Sequence, residues 1–314
     1  MPKSPLSWII SDQRRDHGLM DIAITGASGL IGTALTRHLT EAGHNPIPVT
    51  RDGSDGIGWN PADGSIDAAG FEGIDAVVHL AGAGIGDKRW NAERKAVIRD
   101  SRVDGTRLLA STLAELDRPP ATLLSGSAIG YYGDRGREEL TETSDPGTGF
   151  LTDVVLAWEA ETAPAESAGV RVAHLRTGIV LSAEGGALAK LLPLFRFGIG
   201  GKLGSGDQWW SCISIDDEVA MIEWLLHNDI TGPVNLVGPD PTTNAVFAKT
   251  LGGVLDRPTV IPVPAFGPKL LLGGELADNL LFTSARVHPK VATDAGYRFI
   301  HPTLEDALRG VLRR

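Results

Sequence analysis

Three glycines, each separated from the next by two residues, form the clearest chemical signal in the chain. The segment Gly26-Ala-Ser-Gly29-Leu-Ile-Gly32 follows an apolar run and opens a helical pattern. In that setting Gly26 permits a sharp turn, Gly29 lets the backbone approach a pyrophosphate, and Gly32 lets the helix pack against the strand. The free N–H groups and the dipole of the helix N-terminus favour a bound phosphate. We therefore predict a dinucleotide site whose residues in this segment are Gly26, Ser28, Gly29, Leu30, Ile31 and Gly32.

The residues after the next apolar run determine whether the site prefers NADP or NAD. Ile47-Pro-Val49 is followed by Thr50, Arg51 and Asp52. An arginine at this place pairs with the 2′-phosphate of NADP, whereas an acidic residue accepts hydrogen bonds from the ribose hydroxyls of NAD. Arg51 therefore favours NADP, while Asp52 leaves NAD possible and a plain surface arginine is the remaining alternative.

These residues need a sheet to position them, and the chain from Met20 onward predicts one. Short β-rich runs alternate with helical periodicity, which is typical of a parallel sheet with right-handed crossovers. Predicted strands are Ile22–Thr25, 47–50, 76–80, 122–125 and 171–175, and predicted helices are a first one ending near Gly43, 91–116 and 151–168. The predicted fold class is α/β, a Rossmann-type doubly wound parallel sheet with a smaller C-terminal α/β lobe.

The domain prediction follows from a change of rhythm near Ser182, where glycine-rich segments and proline turns begin. We assign residues 20–181 and about 216–244 to the dinucleotide-binding domain, and 182–215 and 245–314 to a substrate-binding C-terminal lobe. Residues 1–19 are predicted to be a flexible extension. Ligands are expected in the crevice between the two parts, at the carboxyl ends of the strands.

Composition limits the partners. A formal net charge of -10 without an acidic block argues against binding to nucleic acid or to anionic membranes. No apolar run approaches the roughly 18 residues of a membrane span. The single cysteine, Cys212, excludes an intrachain disulfide and fits a cytoplasmic protein. The histidines show no metal-binding spacing, so we predict no metal and a small-molecule substrate.

Several further segments identify a family. The chain resembles the extended short-chain dehydrogenases, and within them the atypical "epimerase family" proteins that are named for nucleoside-diphosphate-sugar epimerases. The similarity runs from Met20 to the C-terminus, where Pro262 to Ala307 resembles a small domain of unknown function. The segments that carry it are Gly26–Gly32, His79-Leu-Ala-Gly82, Val103-Asp-Gly-Thr106, Ser125-Gly-Ser127, Trp158-Glu159, Arg176-Thr-Gly178, Gly204–Ser211, Ile215-Asp-Asp217 and Ala265-Phe-Gly.

This resemblance implies further cofactor contacts and a gap in the catalytic pattern. The implied contacts are His79, Leu80, Ala81, Gly82, Arg102, Ser125, Arg176 and Gly178. Typical members use a tyrosine acid with a lysine four residues later, because i and i+4 share a helix face. Counted back from Glu159, those positions hold Leu151 and Val155, neither of which can move a proton.

Other groups are candidates for the missing chemistry. The upstream serine of the family is retained as Ser127, which we expect to orient a substrate oxygen. Tyr131 and Tyr132 follow it closely and are candidate acids, or else they pack against a ligand. Arg102 stands where the family has asparagine, and we expect it either to hold an anion or to brace its helix through Asp100 or Asp104.

Two functions stay open on the sequence. The first is an NADP-dependent oxidoreductase, or a nucleotide-sugar epimerase-like enzyme, that acts on an unknown carbonyl or alcohol. The second is a non-catalytic NADP(H)-binding redox sensor or regulatory protein, for which the missing tyrosine and lysine are the direct reason. Relatives of this fold often dimerise, so a homodimer is possible.

Overall fold

The structure is a computed structural model that describes residues 18–259 and 262–313. The predicted extension, residues 1–19, therefore lies outside the described residues apart from Gly18 and Leu19.

The strands alternate with helices along the chain, as the sequence predicts. The strands are β1 (Asp21–Thr25), β2 (Asn45–Thr50), β3 (Ile57–Asn60), β4 (Ser65–Ile66), β5 (Ala76–His79), β6 (Thr122–Ala128), β7 (Glu139–Leu140), β8 (Arg171–Thr177), β9 (Ile179–Leu181), β10 (Trp209–Trp210), β11 (Cys212–Ser214), β12 (Gly232–Leu236), β13 (Thr242–Thr243) and β14 (Arg286–Val287).

The α-helices connect these strands and build the C-terminal lobe. They are α1 (Leu30–Ala42), α2 (Ala92–Ala114), α3 (Phe150–Ala160), α4 (Ala163–Ser167), α5 (Gly186–Arg196), α6 (Ile215–Leu226), α7 (Asn244–Leu255), α8 (Phe266–Leu272), α9 (Gly274–Ala277), α10 (Lys290–Asp294) and α11 (Leu304–Leu312). Short 3₁₀ turns lie at Ala68–Phe71 and Ile129–Tyr132, and a π turn at Asp278–Phe282.

One eight-stranded sheet organises the molecule, in the order β12-β8-β6-β5-β1-β2-β3-β4. All neighbours are parallel except β3 and β4, which pair antiparallel. The chain runs outward from β1 to β2 on one side and from β5 to β6 on the other. The predicted Rossmann-type fold is confirmed, and its switch point lies between β1 and β5.

Local sequence explains the first βα unit. Ile22 and Ile24 of β1 enter the core on one face of the sheet, whereas Ala23 enters the core on the other. Helix α1 buries Leu35 and Leu39 and ends at Gly43, whose φ of 95° caps the helix in the left-handed conformation. Burial of both faces is what a central parallel strand requires.

The C-terminal lobe has a core of its own. Leu188 of α5, Phe247 and Leu251 of α7, and Leu308 of α11 share a cluster that is separate from the two cores flanking the sheet. The segment assigned to this lobe nevertheless returns to the sheet, because Ala292 and Tyr297 belong to the core beneath α1 and α6. Residues 245–314 were all assigned to the C-terminal lobe, but Ala292 and Tyr297 pack in the core of the dinucleotide-binding domain.

The helix predicted over 151–168 is two helices. Helix α3 ends at Ala160 and α4 begins at Ala163, with Pro164 in its first turn. Proline has no N–H and fits only the first turn of a helix, so it begins a new helix here.

Candidate functional site

The glycine loop forms a tight cradle between β1 and α1. Gly26 has a φ of +70°, and a Cβ there would lie 2.9 Å from the backbone N of Ala81. A Cβ on Gly32 would lie 2.1 Å from the carbonyl oxygen of Gly26. Helix α1 begins at this point with neither a side-chain cap nor an acidic residue in its first turn. Its free N–H groups are therefore available to a phosphate, and the cradle fits a dinucleotide pyrophosphate.

A cavity of about 690 Å³ opens beside this cradle at the carboxyl ends of the strands. It extends from the glycine loop past the ends of β6 and β8 to the C-terminal lobe. The sequence-predicted residues that line it are Gly26, Gly29, Leu30, Ile31, Gly32, Leu80, Arg102, Ser127 and Gly178. Those that do not line it are Ser28, Arg51, His79, Ala81, Gly82, Ser125, Tyr131, Tyr132 and Arg176.

Arg51 follows the end of β2 and is exposed. The neighbouring carboxylate is engaged locally: the Asp52 Oδ1 atom accepts hydrogen bonds from the Ser54 N–H at 3.2 Å and from the Ser54 hydroxyl at 2.9 Å. These bonds lower the pKa of Asp52. The Asp52 carboxylate is therefore partly occupied, while the guanidinium of Arg51 is exposed beyond the strand end.

Arg102 lies in the cavity wall and has no carboxylate partner among the described residues. Its Nη1 donates to the carbonyl oxygens of Ala83 and Ile98, both at 3.0 Å, and its guanidinium lies 5.2 Å from the Trp158 ring centre. Burial, and then the charge of Arg94, lower its pKa to about 10. Bracing through Asp100 or Asp104 is wrong, because these carboxylates pair with Arg99 and Arg107; Arg102 bonds to its own helix through the Ile98 carbonyl oxygen instead.

His79 is fully buried behind the cavity. Thr25 Oγ1 accepts hydrogen bonds from the backbone N–H groups of Leu80 and Ala81, so its own proton points to His79 Nδ1 at 2.7 Å. Nε2 then carries the ring proton and donates to Thr106 Oγ1 at 3.0 Å. Burial, and then the charge of Arg102, lower the pKa of His79 to about 4. This neutral histidine fixes the chain after β5, and both of its ring nitrogens are occupied.

Ser127 anchors a buried polar network at the cavity floor. Its hydroxyl donates to Glu159 Oε1 at 2.6 Å, and Arg176 donates to both Glu159 oxygens at 2.8 Å. Burial alone raises the pKa of Glu159, but the hydrogen bonds and charge of Arg176, aided by Ser127, bring it below its ordinary value. Glu159 is therefore a carboxylate, and Ser127 presents lone pairs rather than its proton to the cavity.

The two tyrosines face this network rather than the cavity. Tyr132 is fully buried; its hydroxyl donates to Asn235 Oδ1 at 2.7 Å and accepts from Arg176 Nη1 at 3.2 Å. Burial raises its pKa to about 12. The ring of Tyr131 stacks against the Arg176 guanidinium, 3.4 Å from ring centre to Cζ. The geometry therefore does not support either phenol as the substrate's acid, and it replaces that prediction with a packing role around Arg176.

The wall opposite Ser127 is apolar where the family pattern has its proton relay. Leu151 and Val155 lie one turn apart on α3, and both line the cavity with Trp158. Leu151 also packs closely on Gly130, since a Cβ added to that glycine would lie 3.3 Å from the Leu151 Cβ. These side chains provide contact surface and no proton transfer.

Ser125 and Gly178 are two further predicted cofactor contacts, and that role stays a prediction for both. Ser125 is fully buried in β6, and its hydroxyl has no hydrogen-bond partner among the described residues. Gly178 allows a close crossing, because a Cβ there would lie 2.4 Å from the carbonyl oxygen of Ser211. The adjacent Trp209 and Trp210 also line the cavity; the Trp210 ring lies 5.1 Å from the Phe247 ring, and the Arg286 guanidinium lies 4.4 Å from the Trp209 ring centre.

A second buried acid lies next to the site. Glu218 of α6 is fully buried, and its Oε1 accepts from the Thr177 hydroxyl at 2.9 Å. Its Oε2 has no partner among the described residues. Burial raises the pKa of Glu218 to about 8, and the negative charge of Asp217 adds to this increase. The hydrogen bond from Thr177 lowers the pKa but does not offset the effect of burial. Glu218 is therefore largely protonated at neutral pH, and Thr177 connects it to the cavity wall.

Outside the cavity, ligand-capable side chains meet at the opposite end of the sheet. Atoms of His44, Glu223 and His227 lie within 4.8 Å of one another, although the sequence spacing shows no such group. The backbone N–H of Met20 donates to His44 Nδ1 at 3.3 Å. His44 Nε2 lies 3.7 Å from Glu223 Oε1, which is beyond hydrogen-bond distance, while Glu223 Oε2 lies 2.6 Å from His38 Nε2.

Sequence reasoning missed the acidic members of the site. Glu159 served only as a landmark in the motif, and Glu218 and Asn235 were not considered. A signal existed for Glu159, since it is the first acid after the apolar stretch Val154-Val-Leu-Ala-Trp158. Among the described residues, no helix is both long enough and apolar enough to cross a membrane.

Comparison with known proteins gives the family context. The family model described as "NAD dependent epimerase/dehydratase family" matches residues 22–238, and a "Domain of unknown function (DUF1731)" matches residues 263–311. The epimerase family protein Mb2239 of Mycobacterium bovis is 40% identical over 291 residues, covering 91% of this chain and 96% of that protein.

Two solved structures share both sequence and fold. The human epimerase family protein SDR39U1 (isoform 2), crystallised with NADPH, has a TM-score of 0.85 and 32% identity, covering 93% of this chain and 99% of the human one. The nucleoside-diphosphate sugar epimerase from Corynebacterium glutamicum has a TM-score of 0.81 and 35% identity. That match covers 98% of this chain and 61% of the other.

Proposed function

The chain belongs to the NAD dependent epimerase/dehydratase family, and on that premise we propose that it is an NADP(H)-dependent oxidoreductase acting on a carbonyl or alcohol group. The observation that carries the proposal is that one cavity joins the glycine cradle to the Ser127 hydroxyl. The human relative crystallised with NADPH supports the choice of cofactor.

The residues present fit the cofactor. The N-terminus of α1 and Gly26 would hold the pyrophosphate, Arg51 the 2′-phosphate, and Arg102 a further anionic or polar group of the cofactor. Bound in this way, NADP(H) supplies the acceptor or donor of a hydride.

Ser127 provides the proton path. In the oxidising direction a substrate hydroxyl donates to Ser127 Oγ, while the proton of Ser127 passes to Glu159 Oε1 along the existing 2.6 Å bond. In the reducing direction the same path needs a protonated Glu159. Because Arg176 keeps Glu159 ionised, we expect reduction to accelerate as the pH falls toward the lowered pKa of Glu159.

Steady-state kinetics with Ser127→Ala test this proposal. We expect kcat/KM to fall by about 100-fold while the Kd for NADPH changes by less than about twofold, because Ser127 contacts the reacting oxygen and not the cofactor phosphates. Tyr131→Phe is the matched control, since it removes a hydroxyl of the same loop from outside the cavity. Equal activity of Ser127→Ala and the wild type would refute the role of Ser127.

One observation favours a second candidate, a non-catalytic NADP(H)-binding sensor. The relay positions hold Leu151 and Val155, and the Tyr132 hydroxyl is fully engaged. Tight NADPH binding with no oxidation by aldehydes, quinones or nucleotide sugars would support the sensor. A cytoplasmic location and a homodimer stay predictions.

A further inference from the structure

The part of the cavity beyond the cofactor cradle is predominantly apolar. Helix α3, the loop after β5 and the C-terminal lobe build this part. The apolar side chains that line it are Ile85, Leu151, Val154, Val155, Trp209 and Leu280. A surface of this kind binds hydrocarbon through the hydrophobic effect and offers few partners to a polar sugar.

The charges of the lining disfavour a diphosphate. Among the described residues that line the cavity, Arg102 is the single lysine or arginine, and it lies against Gly82 on the cofactor side. The other charged groups of the lining are Asp134 and Asp278. A nucleotide sugar brings two negative charges, which proteins usually meet with arginine or lysine. Here it would meet carboxylates instead.

Three cations near the rim are already paired with carboxylates. Lys269 Nζ lies 2.7 Å from Asp278 Oδ1, and Lys95 Nζ lies 2.8 Å from Glu275 Oε1. The Nη1 atom of Arg286 lies 2.8 Å from Glu139 Oε1, and the same guanidinium stacks on the Trp209 ring. Each would have to give up a carboxylate in order to meet a substrate phosphate.

Helix α8 carries further apolar side chains outside the cavity. Phe266, Leu270 and Leu271 are 72%, 75% and 76% exposed. Two contacts hold this helix to the rim: the Lys269–Asp278 pair, and the Arg89 guanidinium, which donates to the carbonyl oxygens of Leu270 and Leu271. Helix α8 is therefore held beside Asp278 of the cavity lining while its leucine side chains are exposed.

We propose that the substrate is a neutral, largely hydrocarbon molecule with one carbonyl or hydroxyl group, and not a nucleotide diphosphate sugar. Its oxygen lies at Ser127, and its hydrocarbon chain runs along Val155 and Leu280 toward α8. This inference rests on the proposed function for the position of the oxygen. The apolar lining and the charge distribution carry the substrate class independently of turnover.

Calorimetric titration of the full chain saturated with NADP⁺ tests the substrate class by binding alone. The ligands are straight-chain primary alcohols from butanol to decanol, with UDP-glucose as the charged comparison. Each added methylene should tighten binding by about fourfold until the cavity is filled, because burying one CH₂ contributes that ratio. UDP-glucose should show no binding at millimolar concentration.

Paired variants locate the effect. Leu280→Asp should weaken decanol at least tenfold and butanol much less, whereas Leu194→Asp, a control on exposed α5 surface, should change neither. Far-ultraviolet circular dichroism checks that both variants are folded. If Leu280→Asp proves unfolded, the milder Leu280→Ala should still reduce the dependence on chain length.

The outcomes separate this proposal from the proposed function. Chain-length-dependent binding without reduction of NADP⁺ would keep the substrate class and reject the oxidoreductase. Binding of UDP-glucose, affinity independent of chain length, or no binding of any alcohol would each overturn the proposed substrate class.

Discussion

Removing the carboxylate of Glu159 should destabilise the protein more than removing the carboxylate of an exposed ion pair. Glu159 accepts two hydrogen bonds from Arg176 and one from Ser127, and the side chains of Arg176 and Glu159 are only 4% and 12% exposed. Glu159→Gln keeps the shape but leaves the Arg176 charge uncompensated. Breaking one partner of a buried pair costs about 3–5 kcal/mol. For a chain of this length that loss lowers Tm by roughly 5–8 °C.

Urea unfolding followed by circular dichroism measures the loss. Glu305→Gln is the control, because the Glu305–Arg309 pair is 55% and 47% exposed and should contribute less than about 0.5 kcal/mol. The double variant Glu159→Leu, Arg176→Met should recover much of the stability, since an apolar pair needs no desolvated charge. A loss below about 1 kcal/mol for Glu159→Gln would refute the reasoning.

The pH dependence gives an independent check on the same group. A carboxyl whose folded pKa is lowered stabilises the protein above its unfolded pKa, and this contribution is lost as the pH falls through the folded value. Wild-type protein should therefore lose stability toward acid more steeply than Glu159→Gln does. Parallel acid curves for the two proteins would contradict the ionised state of Glu159.

Three further predictions follow from the cradle and its neighbours. Arg51→Ala should weaken NADPH by about 10- to 100-fold in fluorescence titrations and NADH by less than about twofold; equal losses would reject the 2′-phosphate contact. Gly32→Ala should abolish NADPH binding, because its Cβ would lie 2.1 Å from the Gly26 oxygen, whereas Gly253→Ala, with open space around its Cβ in α7, should stabilise by about 0.5–1 kcal/mol. Glu218 has a raised pKa of about 8, so its stability contribution is lost as the pH rises from about 4.5 to 8, and Glu218→Gln should flatten the unfolding free energy over that range; an unchanged slope would show that Glu218 ionises normally.

Local sequence was sufficient for the glycine cradle and for the strands β1, β2, β5, β6 and β8, whereas the strands β3, β4 and β12 of the same sheet were not predicted. Gly32 is required by a contact within the first βα unit, with the carbonyl oxygen of Gly26, and Gly26 is required there by its positive φ. The residue that a Cβ on Gly26 would meet is Ala81, however, which lies far along the chain after β5. The apolar run Ile22-Ala-Ile24 likewise predicted β1, which is buried on both faces, and Gly43 predicted the end of α1. The split between α3 and α4 was missed because the apolar periodicity continues across Pro164.

The failures of the sequence reasoning concern the direction in which side chains point. Tyr131 and Tyr132 lie close to Ser127 in sequence, but a 3₁₀ turn at the end of β6 carries both rings to Arg176 on β8. The family resemblance implied a cofactor contact for His79, yet its ring is fully buried and bonded to Thr25 and Thr106. The side chains that fix these orientations are distant in sequence. Arg176 lies 44 residues from Tyr132, and Thr106 lies 27 residues from His79.

The same network explains how the site loses the usual acid yet keeps a role for Ser127. An arginine at the centre of the floor, Arg176, holds Glu159 ionised and occupies the Tyr132 hydroxyl. The one group of this floor that reaches the cavity is then a serine whose proton points inward. Such a site accepts a hydrogen bond from an alcohol more readily than it protonates a carbonyl. For the proposed oxidoreductase, oxidation of a hydroxyl would use the ionised Glu159 present at neutral pH, whereas reduction would need Glu159 protonated and would be the more acid-sensitive of the two rates.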